Sequence, residues 1–331
     1  MLKKIAIPVV LITVVLCSNG QAVSQVALNK EQAGMVIHSL AAVLQQNYVF
    51  PDTARSMVNL LEARFRQGAY DSLDRPGLLA AELNKDLWSV YHDGHLRVRY
   101  DPKLAASIGQ GNELSPADKR NGLEYTRQLN FGFKRIEILD ENIGYLKFNM
   151  FAEVNTESKE VVEAAFRFLQ NVRALVIDLR ENGGGEPEMI QYVCNYLFPK
   201  RTHLNDIYVR RINTTTQFWT TPDRHLTSLM KVPVYILTSK TTFSGAEEFA
   251  YDLQTQNRAV VVGEVTGGGA HPVEPRAVSN GFVLFVPFAR AINPITNTNW
   301  EGKGVQPDIK TTAEKALETA LEQIRSTIKN Q

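Results

Sequence analysis

The sequence predicts an α/β (α+β) protein in which a strand-and-helix core follows a small helical bundle. Two observations carry this. Before residue 100 the apolar residues recur only at helical spacing. From Asn142 onward, apolar runs rich in β-branched residues alternate with further helical stripes. With 331 residues, 44% of them hydrophobic, the chain can bury one large core or two moderate ones.

In chain order, residues 1–22 read as a secretory signal peptide. Lys3-Lys4 precede an apolar run from Ile5 to Leu16, and Gly20-Gln21-Ala22 places small residues at the cleavage positions. The run is short for a bilayer span, so no stable membrane anchor is expected. Bulky Leu16 argues against lipid modification at Cys17. Cleavage after Ala22 leaves Cys194 as the one cysteine, which excludes an internal disulfide. Loss of Lys3 and Lys4 takes the formal charge from +1 to −1, which does not point to nucleic acid or an anionic membrane. The expected location is periplasmic or secreted.

Residues 23–100 form the helical region. Its stripes are Ile37, Leu40, Ala41 and Leu44; Met57, Leu60, Leu61 and Phe65; and Leu79, Leu83, Leu87 and Val90. Pro51 separates the first from the second, and Gly68 ends the second. His92 and His95 follow the third, open to reading as metal ligands on one helix face, as surface or capping residues, or as a general base. No further metal motif accompanies them, so no metal or cofactor is expected. Residues 101–141 are polar and glycine-containing and read as a linker or lid. The local Gly109-Gln110-Gly111 lacks the third glycine of a dinucleotide loop.

From residue 142 to 331 the elements alternate. Ile143–Met150 and Ala174–Leu179 are strands on either side of a helix lined by Val161, Val162, Ala165, Phe166 and Leu169, a right-handed βαβ unit. Asp178-Leu-Arg180-Glu-Asn182-Gly183-Gly184-Gly185 follows, then a helix lined by Met189, Ile190, Val193 and Leu197. Three glycines between strand and helix are either an ordinary turn or backbone that presents bare N–H groups to an anion. Asp178 and Arg180 are expected to pair and brace that turn.

Val232–Leu237 is a strand, and a helix with Ala246, Phe249, Ala250 and Leu253 on one face begins at Ser244. A serine there has converging N–H groups and a favourable dipole for a nucleophile whose reaction makes an oxyanion. Ser244-Gly-Ala-Glu247 also fits a capping box. Arg258–Glu264 and Gly281–Arg290 are further strands, and Ala316, Leu317, Ala320, Leu321 and Ile324 line a final helix.

Taken together, the Asp-Gly-His at 93–95, DLRENGGG at 178–185, TFSGAEEF at 242–249, VVVGEVTGGG at 260–269 and GVQPDI at 304–309 resemble one family. It is that of the serine peptidases comprising the C-terminal processing (tail-specific) proteases, the tricorn protease core and interphotoreceptor retinoid-binding protein. Asn47-Tyr-Val-Phe-Pro-Asp52 is similar to the helical region of the retinoid-binding branch. The resemblance implies a ClpP/crotonase-like core of ββα units and a polypeptide or peptide substrate. It implies Ser244 as nucleophile, with Gly245 and Gly184 as the oxyanion hole. His95 matches the family's histidine, and Glu301 stands before GVQPDI as the acid does in the tricorn-like branch. His271, Gly185 and Glu248 are the substrate-contact candidates, His271 also a second base. Two departures stand out. The loop Thr266–His271 has no lysine where the processing proteases carry theirs, and residues 96–141 are too few for an inserted PDZ domain.

Overall fold

Val, Ile and Leu crowd the stretches 174–178 and 234–238, and both become strands buried along their whole length. That is the pattern of parallel strands covered on both faces. The computed structural model describes residues 27–109, 116–222 and 227–329. The signal expected over residues 1–22, with Cys17, and Gln110-Gly111 of the polar segment lie outside the described residues.

In chain order the elements open with α1 (Lys30–Asn47), α2 (Pro51–Arg66), α3 (Pro76–Val90), β1 (Arg97–Tyr100), α4 (Pro102–Gly109) and α5 (Pro116–Gln128). Then come β2 (Phe133–Leu139), β3 (Ile143–Phe148), α6 (Thr156–Phe168), β4 (Ala174–Asp178), α7 (Pro187–Cys194), β5 (His203–Val209) and β6 (Thr214–Trp219). The last are β7 (Val234–Thr238), α8 (Gly245–Thr255), β8 (Val260–Gly263), β9 (Val273–Val278), β10 (Phe282–Pro287), β11 (Ala289–Ile292), β12 (Ile309–Lys310) and α9 (Ala316–Lys329).

The chain divides into two units. The first holds residues up to 115 together with 209–214 and 271–290; the second holds 116–208, 215–270 and 291–331.

In the first unit, α1 starts on a capping box. The Asn29 side chain accepts from the Gln32 N–H, and the Gln32 side chain accepts from the Asn29 N–H. Val36, Ile37, Leu40 and Leu44 of α1, Met57 and Leu61 of α2, and Leu79 and Leu83 of α3 form one core. They share it with Val98 of β1, Val278 of β9, and Phe282, Leu284 and Val286 of β10. These three strands pair in the antiparallel order β1-β10-β9. The expected helical bundle is thus a helical layer on a small sheet. A helical stripe buries equally well on helices or on strands, so local spacing alone does not distinguish the two.

The second unit carries a six-stranded sheet in the order β12-β8-β7-β4-β3-β2, parallel except for the antiparallel β2–β3 pair. Alternate strand residues face opposite ways. Leu146, Leu175, Ile177, Ile236 and Val261 meet α6, α7 and α8 through Phe166, Ile190, Phe249 and Leu253. Tyr145, Val176, Leu237 and Val262 meet Ala316, Ala320 and Ile324 of α9. Each such fully buried aliphatic or aromatic side chain contributes about 1.5–3 kcal/mol. A small sheet in the order β11-β5-β6 lies mostly in this unit.

The stretch 101–141, read as a linker or lid, instead contains α4, α5 and the sheet-edge strand β2. Of α5 and its end, Leu123 and Leu129 reach apolar neighbours, too few to set up a visible period. The single strand expected over 281–290 is β10 followed by β11. The core is also not one continuous segment from 142 to 331, because 271–290 return to the first unit.

Candidate active site

β7 ends at Thr238, and six residues later the chain reaches Ser244 with φ 55° and ψ −123°. A serine pays of order 1–3 kcal/mol for such backbone and keeps it only where surrounding bonds dictate it. Here they do. The Phe243 N–H donates to Asn182 O at 3.1 Å, and the Thr242 hydroxyl donates to Leu179 O at 2.8 Å. The Ser239 hydroxyl donates to Arg180 O at 2.5 Å, so the turn before the serine is laced to the loop after β4.

The three-glycine run is likewise held. Gly184, at φ 101°, donates its N–H to Asn182 Oδ1 at 2.8 Å, while its carbonyl accepts from the Phe151 N–H at 2.7 Å. A Cβ on Gly184 would lie 2.6 Å from Gly245 N and 2.8 Å from Ser244 Cβ. A Cβ on Gly245 would lie 3.0 Å from Gly185 N. Gly245 opens α8, where N–H groups lack helical acceptors and the dipole favours negative charge. The bridge between Gly185 and Phe151 uses the carbonyl of Gly184 and the N–H of Glu186, not the N–H of Gly185. The backbones of Gly184, Gly185 and Gly245 are therefore packed closely together at the serine.

Glu247 does more than cap a helix. It is fully buried, and its carboxylate accepts from the Ser244 N–H at 2.9 Å, as the glutamate half of a capping box does. The same carboxylate accepts from the Thr266 hydroxyl at 2.5 Å and the N–H groups of Gly268 at 2.6 Å and Gly269 at 2.8 Å. Burial pushes its pKa up, with these four bonds pulling the other way. One side chain thus fixes both the serine and the glycine loop that follows β8.

That loop is closed from the other side. Trp300 Nε1 donates to Gly269 O at 2.8 Å, and half-buried Glu301 accepts from the Ala270 N–H at 2.6 Å. Asp178 and Arg180 pair as expected: Nε and Nη2 of Arg180 reach the two carboxylate oxygens at 2.9 and 2.6 Å, and Nη1 donates to Ala313 O.

His95 and His271 belong to the first unit and share Asp93, which is 2% exposed. Asp93 Oδ2 accepts from His271 Nδ1 at 2.8 Å and from the Tyr48 hydroxyl at 2.9 Å, and Oδ1 accepts from the His95 N–H at 3.1 Å. Burial raises the Asp93 carboxyl, but the bond and charge of His271 outweigh it and hold it low. Phe50 packs edge-on against the His271 ring at 5.3 Å. Burial drives His95 down to about 4, helped by His271 and opposed by Asp93, so its imidazole is neutral at pH 7. His92 is exposed and packs edge-on against Trp88.

Of the expected site residues, Ser244, Gly245, Gly184, Gly185, Glu248 and Glu301 thus lie in the second unit, and His95 and His271 in the first. Sequence reading missed three functional positions. Asn182 had a legible signal, a short amide placed just before glycines. Asp93 as the partner of His271, and Glu247 as a clamp on residues 266–269, had none, because both contacts join distant stretches.

A mixed α/β core with a strained serine at a helix N-terminus and paired glycine N–H groups defines a hydrolase-type site. The comparisons name the family. The profile of peptidase family S41 matches residues 142–311, and that of the N-terminal domain of Peptidase_S41 in eukaryotic IRBP matches residues 21–134. The chain belongs to peptidase family S41. It is 31% identical over 169 residues to a chloroplastic carboxyl-terminal-processing peptidase 2 of Arabidopsis thaliana, covering 50% of this chain and 31% of that one. It therefore spans about a third of the length of that curated relative. Among solved structures, the photosystem II D1 C-terminal processing protease superposes with a TM-score of 0.54 at 18% identity, over 86% of this chain and 94% of that one. Tricorn protease does so with 0.57 at 14% identity, over 91% of this chain and 37% of that one. These likenesses show the α/β fold of this family.

Proposed function

We propose that the chain is an exported serine endopeptidase that hydrolyses peptide bonds of polypeptides through an acyl-enzyme on Ser244. The observation that carries this reading is the strained serine at the start of α8 with the backbone of the glycine run packed against Gly245, and the N–H groups of Gly245 and Gly185 are the proposed oxyanion hole. Gly184, whose own N–H is taken by Asn182, shapes that hole rather than donating to it.

In this reading Ser244 Oγ bonds to the scissile carbonyl carbon while His95 takes its proton. The carbonyl oxygen becomes an oxyanion held by the two glycine N–H groups. Collapse breaks the C–N bond, and His95 returns the proton to the leaving amine. Water then attacks the ester by the same route and restores the serine. The assignment of His95, with Glu301 stabilising its imidazolium, rests on the matched motifs and is supported by its neutral state at pH 7. A lysine base has no place in a loop that reads Thr-Gly-Gly-Gly-Ala-His over 266–271. His271, oriented by Asp93, is the second imidazole, and its placement supports a role in positioning substrate or sharing the proton. Among the described residues, 97–109 and 116–139 carry β1, α4, α5 and β2, which supports substrate capture without an inserted PDZ domain. Among the described residues no helix is long and apolar enough to cross a membrane.

Ser244→Ala tests the reading. Hydrolysis of unfolded protein should fall to background, and a fluorophosphonate should label the parent chain but not the variant. Retained hydrolysis would overturn the assignment. The match of residues 21–134 to the N-terminal domain described for eukaryotic IRBP favours one alternative, a carrier of an apolar ligand. Tight binding of such a ligand, with no labelling of Ser244, would select it.

A further inference from the structure

The helix that begins at Ser244 carries Glu248 one turn further on. Residues four apart share a helix face, and side chains lean toward the N-terminus, so the Glu248 carboxyl reaches back toward the serine. It is 6% exposed. On the opposite flank, Glu186 directly follows Gly185 and is 8% exposed. The charges acting on Glu186 are those of Glu188 and Glu153, and the charge acting on Glu248 is that of Glu188. All of them are negative.

Burial is the main cause holding both carboxyls above the ordinary range, Glu186 to about 8 and Glu248 to about 7, with Asn205 opposing it at Glu248. Behind Glu248, Asp252 is fully buried and raised by its own burial and by Glu248. Asp252 Oδ1 accepts from Asn293 Nδ2 at 3.2 Å, but Oδ2 has no hydrogen-bond partner among the described residues. Asn205 is also fully buried and is the polar neighbour of Glu248. Neither its Nδ2 nor its Oδ1 makes a hydrogen bond of full geometry among the described residues. Such groups are costly to bury unsatisfied, by about 1–3 kcal/mol each. Buried oxygens without partners, Asn205 Oδ1 and Asp252 Oδ2, beside a site that must build an oxyanion are unfavourable for that oxyanion, unless the substrate supplies positive charge.

We propose that Glu248 and Glu186, backed by Asn205 and Asp252, form a recognition site for a cationic group of the polypeptide substrate next to the scissile bond. Resting on the reading of Ser244 as nucleophile, this names the class of residue the enzyme selects. A lysine or arginine side chain, or a free N-terminal ammonium, offers two or more N–H donors to acceptors that otherwise lack them. One of the carboxyls releases its proton as the cation enters, which leaves the net local charge near zero.

The test compares peptides that carry lysine, arginine or isosteric norleucine at each position flanking the bond, with free and acetylated N-termini. Lysine or arginine at one position should raise kcat/KM over norleucine by roughly 10–100-fold, as a buried charge pair is worth. Glu248→Gln and, separately, Glu186→Gln should each reduce that ratio several-fold. Preference for the free over the acetylated N-terminus would place the ammonium there instead of a side chain. Equal rates for lysine and norleucine everywhere, or a ratio unchanged in both variants, would overturn the proposal. Calorimetric binding of the same peptides to Ser244→Ala keeps it testable apart from turnover. Selective binding of cationic peptides, lost in the double variants with Glu248→Gln, supports the site even if no hydrolysis is found. Unselective binding refutes it.

Discussion

Glu247→Gln is the sharpest perturbation of this site. The carboxylate accepts from four donors, two on each oxygen: Thr266 and Gly268 on Oε1, Ser244 and Gly269 on Oε2. A glutamine keeps the shape but replaces one oxygen by an NH2 that faces two donors. Two bonds are lost and two buried donors are left facing a donor. A bond to a charged group is worth about 1.5–3 kcal/mol, so the gross loss is about 3–6 kcal/mol. Relaxation brings the expected cost to roughly 3–5 kcal/mol, the range for breaking a buried charged network. Urea unfolding of both proteins measures it. With the NH2 on the Oε2 side, Ser244 is one of those two donors and loses the bond that holds its unusual backbone; a misplacement of about 1 Å can cost 10²-fold in rate. Fluorophosphonate labelling should therefore slow by about that factor even in the folded fraction. A variant within about 0.5 kcal/mol of the parent that is labelled at the parent rate would refute the clamp.

Three further outcomes follow from the same geometry. Gly184→Ala should abolish labelling of Ser244, since its Cβ would fall 2.6 Å from Gly245 N at a φ of 101°, and circular dichroism should show the fold retained. His95 is base-competent only when neutral, and its pKa is lowered to about 4. The acid limb of kcat/KM should thus fall near pH 4 and not near the ordinary histidine value of 6.5. His95→Ala should remove that limb together with most of the activity. Glu248 has a folded pKa raised to about 7, so its stabilising proton is fully present below pH 4.5 and is lost as pH rises through 7. Glu248→Gln should accordingly match the parent near pH 4.5 and exceed it by about 1–3 kcal/mol at pH 8, as read from denaturation midpoints.

Much of the second unit was legible in the sequence. Val, Ile and Leu in unbroken runs forecast β4 and β7, and the stripes of α6, α7, α8 and α9 all turn inward as their spacing predicts. The motif residues around the serine were legible for a different reason, since glycine before a helix and serine at its cap are local backbone requirements. What escaped was non-local. The stripes of α1, α2 and α3 do not specify that the distant β9 and β10 complete their core. The polar segment 101–141 hides α5 because few of its residues pack on anything apolar.

The same division runs through the site. Residue types alone showed that a serine hydroxyl, glycine N–H groups, imidazoles and carboxylates were all present, because each chemistry needs particular atoms. Which glycine N–H is already taken was decided by Asn182, which holds the one on Gly184. Whether Glu247 is a cap or a clamp, and whether Glu248 meets water or unpaired buried acceptors, depended on which distant segments fold against them. Local sequence determines conformation and chemistry along the chain. Desolvation and hydrogen-bond partners arise only when remote segments meet, so the tertiary structure alone sets protonation, orientation and selectivity.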